Sequence, residues 1–287
     1  MNKIKLGVIV TSLYLKPNKK EIALATKKLS KYFDVKLYLP DCKPDRFGSI
    51  PTLKMIEQIN IAANENEVLL SLSGGFNQIE LLLSFERFKF RPENIFVGQS
   101  DNTLLVSALP SLGVCKSLYG KGFYDIATDR ENAEEIVEEL YRSIIELKSA
   151  DSSLEPVLLG GNNYTFDLLQ GTRFCPKFNQ PFILFMEGED VLKDPSEVWR
   201  DFIRNIDSIA LQNKAMDNLR GLILGKFPES IQVSDAEFNK FKKDRPYLKN
   251  IPVIRDFKCG HNKESFIYLP IGQRISVEML NLIERKG

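Results

Sequence analysis

The sequence predicts an α/β protein: a parallel sheet covered by helices on both faces, followed by a smaller C-terminal domain that mixes short β runs with helices. Short apolar runs alternate with helix-spaced segments through residues 1–118, with short connections between them. That is the pattern of consecutive βαβ units. The runs are apolar throughout rather than alternating, as strands buried on both faces are.

Taken in order, Lys5 to Val10 is an apolar, β-branched run, and Asn18 to Phe33 carries helical spacing through Ile22, Ala25, Leu29 and Tyr32. Val35 to Leu39 alternates like a strand, and Thr52 to Ala63 is helical through Leu53, Ile56 and Ile59. Val68 to Leu72 reads as a strand, Asn77 to Phe85 as a short helix and Ile95 to Gly98 as a strand. A helix from Asp101 to about Leu109 and a strand from Gly113 to Leu118 complete the first domain. Residues 119–155 read as a helical linker, with an acidic helix from Asp129 to Lys148 and a polar stretch from Ser149 to Glu155. The second domain, 156–287, has β runs at Pro156 to Leu159, Phe182 to Met186, Leu219 to Leu224, Pro252 to Ile254, Ser265 to Leu269 and Arg274 to Val277. Helices near Tyr164 to Gln170, Pro195 to Gln212 and Asp235 to Phe241 separate them.

A net charge of +1 favours neither nucleic acid nor an anionic membrane by bulk electrostatics. The apolar run at the N-terminus stops at Thr11-Ser12, too early for a signal peptide, and no stretch reaches the length of a membrane span. A cytoplasmic location is expected. Cys42, Cys115, Cys175 and Cys259 are scattered and form no Cys-x-x-Cys pair, so they are expected to be reduced. With one histidine in the chain, a zinc cluster is not expected.

That histidine, His261, is therefore the only imidazole available as a proton carrier near neutral pH. It follows Cys259-Gly260 in a loop-like spot after an apolar run, and is read as a general base or as a chance surface residue. Cys259 is a poor nucleophile for it, because side chains two apart on a strand sit too far apart for a direct hydrogen bond. Ser100 is the best nucleophile candidate. It follows the strand ending in Gly98 and precedes a helix, so its hydroxyl projects beyond the sheet and the next N–H, that of Asp101, faces a developing oxyanion. The alternative is that Ser100 and Asp101 cap the helix. Gly74-Gly75, also between a strand and a helix, suits a second oxyanion donor, a phosphate cradle or a plain turn. Glu187 ends an apolar strand, where a carboxylate can hold an imidazole in one tautomer. Glu189 and Asp190 compete with it for that place.

In order along the chain, Gly74-Gly75, Gly98-Gln99-Ser100-Asp101, Gly160-Gly161-Asn162, Ile183-Leu184-Phe185-Met186-Glu187, Gly260-His261 and Leu269-Pro270-Ile271-Gly272 resemble the motifs of the LD-carboxypeptidase family of serine peptidases. That family also contains the microcin C immunity hydrolases. The resemblance implies Ser100 as nucleophile, His261 as its base and Glu187 as orienter. It implies an oxyanion hole from the N–H groups of Gly75 and Asp101, with Gly74 and Asn162 at the substrate. It further implies a flavodoxin-like N-terminal domain, a small β-rich C-terminal domain, a homodimer, and no metal or organic cofactor.

The chain departs from the family pattern at Ser73, where many members carry arginine, at Asn77, at Gln99, and at Tyr119-Gly120-Lys121-Gly122. These changes bear on the substrate rather than on the three reacting side chains. The resulting expectation is a serine-type amide hydrolase acting on a small peptide, a muropeptide with an L-to-D linkage. The alternatives are a microcin-like peptidyl-nucleotide hydrolase and a ligand-binding relative without catalysis.

Overall fold

The computed structural model describes residues 3–15, 18–129, 131–149, 156–189, 194–212 and 214–275. Asp190, the polar stretch 150–155 and the end of the run expected at 274–277 lie outside the described residues.

The first half is built from strands β1 (Ile4–Ile9), β2 (Phe33–Tyr38), β3 (Val68–Ser71), β4 (Ile95–Gly98) and β5 (Lys116–Tyr119). They alternate with helices α1 (Lys19–Leu29), α2 (Thr52–Glu65), α3 (Ile79–Leu82) and α4 (Thr103–Ser111), and are followed by α5 (Phe123–Thr128) and α6 (Ala133–Ser149). All the pairings are parallel and the strand order is β2-β1-β3-β4-β5. This is the flavodoxin-like order, in which ligands gather beyond the carboxyl ends of the strands where the winding reverses. β3 and β4 are buried along their whole length, in keeping with their unbroken apolar composition.

α1 starts where Asn18 and Glu21 form a reciprocal capping box. The helix expected over Asn77 to Phe85 is reduced to the single turn of α3 and a separate 3₁₀ turn at Phe85–Arg87. Composition missed α5, a short helix bracketed by Gly122 and Asp129. α6 packs on the outer side of the first sheet, where Tyr141 stacks on Tyr32 with ring centroids 4.6 Å apart.

The second half carries β6 (Val157–Asn162), β7 (Phe182–Glu187), β8 (Leu219–Gly225) and β9 (Val253–Phe257). Helices α7 (Asn163–Asp167), α8 (Pro195–Ala210), α9 (Ala215–Asn218) and α10 (Asp235–Lys243) lie between them. The expected mixture of strands and helices is thus an α/β unit, with four strands running parallel in the order β6-β7-β8-β9.

Among the described residues, neither the run Ser265 to Leu269 nor the start of the run from Arg274 extends a sheet as a strand. Each contributes one antiparallel bridge among the described residues, Leu269 to Tyr119 and Arg274 to Val157. Pro270 lacks the N–H that a continuing ladder needs, and β5 ends at Tyr119. The segment therefore works as a strap. Tyr119 and Leu269 exchange two backbone hydrogen bonds of 2.8 and 2.9 Å. A few residues on, the Leu158 N–H donates to Gln273 O, and its carbonyl accepts from the Gly272 N–H. One strap thus joins edge strand β5 of the first sheet to edge strand β6 of the second. α4 lies against β6, the Ser107 hydroxyl donates to Gly160 O, and a single hydrophobic core runs through both halves.

Candidate active site

Ser100 stands immediately past the carboxyl end of β4, in the left-handed region at φ 61°. A non-glycine residue held there is strained, as is common where a side chain must be presented to a cleft. It does not cap the following helix, and neither does Asp101. The Asp101 carboxylate lies beneath the turn, accepting hydrogen bonds from the Ser12 hydroxyl and, at 2.8 Å, from the Gln78 N–H. Burial nevertheless pushes the Asp101 carboxyl above its usual range. The turn is further fixed by Thr103, whose hydroxyl donates to Ser100 O at 2.7 Å and accepts the Asn162 N–H at 2.9 Å. The Ser100 N–H donates to the Tyr119 hydroxyl at 3.1 Å.

Gly74 faces the serine directly. A Cβ on it would lie 2.7 Å from Ser100 Cβ and 3.0 Å from Oγ, so a larger residue there would displace the hydroxyl. The neighbouring Gly75 N–H is bonded to no other described residue. Ser100, Gly74, Gly75, Gln99, Glu189 and His261 share one open cleft of about 250 Å³.

Glu187, the last residue of β7, is fully buried behind that cleft. Its Oε1 accepts from the Tyr119 hydroxyl at 2.6 Å and from Asn162 Nδ2 at 3.1 Å. Its Oε2 meets His261 Nδ1 at 2.8 Å and accepts the His261 N–H at 3.3 Å. Gly260, with φ +126°, makes this approach possible, because a Cβ there would come within 2.7 Å of Glu187 Oε2. His261 Nε2 lies 3.1 Å from Glu189 Oε2.

The electrostatics follow from this crowding. Burial works against the Glu187 carboxylate, but the His261 charge and the hydrogen bonds from His261, Tyr119 and Asn162 outweigh it and hold its pKa below the usual range. For His261, burial opposes the charged form, yet the Glu187 carboxylate and hydrogen bond, together with Glu189, hold its pKa up to about 9 against the opposing Lys121 charge. Burial drives the Glu189 carboxyl upward. Burial also pushes the Cys259 thiol well up, so that it is no thiolate at neutral pH, and all four cysteines are free.

The structure therefore brings Ser100, Gly74, Gly75 and His261 to one cleft, with Glu187 and Asn162 immediately behind the imidazole. It separates the competing carboxylates by ring nitrogen: Glu187 meets Nδ1 and Glu189 meets Nε2. Sequence reasoning missed the parts played by Tyr119 and Thr103. The only signal for Tyr119 was a hydroxyl-bearing residue at the carboxyl end of the strand next to β4. Among the described residues no helix is long and apolar enough to cross a membrane, and no group of three or more His, Cys, Asp or Glu could hold a metal ion.

The single imidazole makes the electrostatics directly measurable. In an NMR titration the lone histidine resonance is expected to shift with a midpoint of about 9. Replacing Glu187 by Gln removes an adjacent opposite charge and is expected to lower that midpoint by about one unit or more; an unchanged midpoint would contradict the pairing.

Comparison with known proteins agrees with this architecture. Residues 155–277 match the LD-carboxypeptidase C-terminal domain. A carboxypeptidase by name, YocD of Bacillus subtilis (strain 168), is 23% identical over 75% of this chain and 74% of its own length. The fold is shared with an MccF-like protein from Bacillus anthracis str. Ames, with a TM-score of 0.79 at 20% identity over 97% of this chain and 95% of that one. MccF in complex with glutamyl sulfamoyl guanosine gives 0.71 at 17% identity, covering 94% of this chain and 91% of that one. The muramoyltetrapeptide carboxypeptidase from Oxalobacter formigenes gives 0.68 at 22% identity, covering 93% and 92%. Residues 155–277 thus match the LD-carboxypeptidase C-terminal domain, and the chain as a whole shares the fold of the MccF-like and muramoyltetrapeptide carboxypeptidase structures.

Proposed function

We propose that the protein is a serine hydrolase of amide bonds, acting as an LD-carboxypeptidase on small muropeptides. The observation that carries this reading is an imidazole tied through Nδ1 to a buried carboxylate, at 2.8 Å, while its ring lines the same cleft as a strained serine.

In this mechanism neutral His261, with its Nδ1–H held by Glu187, takes the hydroxyl proton of Ser100 on Nε2 as Oγ attacks the substrate carbonyl. The Gly75 and Asp101 N–H groups hold the oxyanion, each contributing about 3 kcal/mol to the barrier. His261 then returns the proton to the leaving amine. Water, deprotonated by the same imidazole, attacks the acyl-enzyme and releases Ser100. Gly74 leaves room for the substrate beside the nucleophile, and Asn162 acts through Glu187. The neighbours that bind aminoacyl sulfamoyl nucleosides favour a second substrate class, a peptidyl nucleotide, for which the chemistry at Ser100 is the same.

A mass-spectrometric screen of muropeptides and peptidyl adenylates separates the two. Turnover is expected with the L-to-D muropeptides and is expected to fall by roughly a thousandfold or more in Ser100→Ala. Full activity in the alanine variant would remove Ser100 as nucleophile.

The pH dependence has a definite sign. The base works in its neutral form, and His261 is protonated below about 9 in the free protein. kcat/KM is therefore expected to rise with pH, about tenfold per unit below that value, and a profile falling from pH 7 to 9 would contradict the assignment.

A further inference from the structure

Both ring nitrogens of His261 are engaged by carboxylates. Nδ1 lies 2.8 Å from Glu187 and Nε2 lies 3.1 Å from Glu189. A base for Ser100 must present Nε2 as a lone pair. Facing Glu189, that nitrogen instead acts as a donor.

The two carboxylates are not equivalent. Glu187 is fully buried and takes hydrogen bonds from Tyr119 and Asn162 as well as from His261. Glu189 lies beyond the end of β7 in the cleft wall, with a side chain that retains 13% exposure. Asn162 also hydrogen-bonds to it, but it stands on the cleft side of the imidazole, whereas Glu187 is enclosed by the core. The rest of the described wall favours a donor ligand. Asp125 adds a second carboxylate, with Lys121 Nζ 4.0 Å from it just outside the lining, and Gln99 leaves its Oε1 without a hydrogen-bond partner. An orphaned buried acceptor of this kind is costly unless something donates to it.

We propose that Glu189 is a specificity-determining residue: it binds a cationic amino group on the acyl side of the substrate, and by leaving His261 it frees Nε2 to serve Ser100. The proposal rests on the serine-hydrolase reading and deepens it. As Glu189 turns to the ammonium group, the imidazolium loses one of its two counter-charges. The Nε2 proton passes to water, while Nδ1–H stays on Glu187. Glu187 and Glu189 stabilise the charged ring, and Lys121 opposes them. Without substrate, Ser100 is left with no base. A substrate lacking the amine leaves His261 on Glu189 and reacts slowly.

The test uses the full chain and two readouts. The first is the rate at which an alkyl fluorophosphonate labels Ser100 at neutral pH. Removing the Glu189 charge by Glu189→Gln is expected to speed labelling roughly tenfold, the increase in neutral imidazole that a one-unit fall in its pKa produces. The second is the ratio of kcat/KM for Nα-acetyl-L-Lys-D-Ala to that for its Nε-acetylated counterpart. The wild-type protein is expected to prefer the free amine by about tenfold or more, Glu189→Gln to lose the preference, and Glu189→Asp, which keeps the charge, to retain it. A thermal melt of each variant separates misfolding from a change at the site. Equal labelling rates, or an amine preference that survives in Glu189→Gln, would overturn the assignment of Glu189 and leave Ser100 as nucleophile. No labelling of either protein would instead bring down the hydrolase reading.

Discussion

The site depends on one buried carboxylate. Glu187 sits at zero exposure where the two sheets meet, and Tyr119, Asn162 and His261 all hydrogen-bond to it. A charge so placed is costly unless each lone pair is satisfied. The donors come from separate parts of the chain: Tyr119 from the end of β5, Asn162 from the end of β6, and His261 from the loop after β9. Satisfying Glu187 therefore fixes the relation between the halves as well as the imidazole. Tyr119 extends the network to Ser100, since its hydroxyl also accepts the Ser100 N–H.

The backbone holds these ends together by short routes. The strap from Leu269 to Arg274 bonds to both edge strands, and α4, which begins just after Ser100, lies against β6. Carboxyl ends of parallel strands are where such folds place ligands, and here two sheets contribute strand ends to one place. The first supplies Ser100 and Gly74, and the second supplies Glu187 and the loop bearing His261. Glu189, at the rim, meets the opposite ring nitrogen from Glu187 and keeps partial exposure to the cleft.

Much of this was legible in the sequence. The unbroken apolar runs marked the strands because burial on both faces removes alternation, and Gly98 and Glu187 stand at strand ends where those runs stop. Ser100, Glu187 and His261 stood out from residue type and motif order. Residue type alone left Glu187 and Glu189 in competition and only the motif order favoured Glu187, because the difference depends on where β7 ends and on which ring nitrogen each carboxylate reaches. The roles of Tyr119 and Thr103 arise only when β5, α4 and β6 are packed together. The run Ser265 to Leu269 has strand-like composition but meets only the last residue of β5, so one bridge is all it can form.

The most direct measurement of the central claim is a crystal structure of the fluorophosphonate-treated protein. The account predicts phosphorus bonded to Ser100 Oγ, a phosphonyl oxygen against the N–H groups of Gly75 and Asp101, and His261 beside the adduct with Nδ1 still on Glu187. An adduct on another residue, or a modified Ser100 with the imidazole remote from it and detached from Glu187, would contradict it.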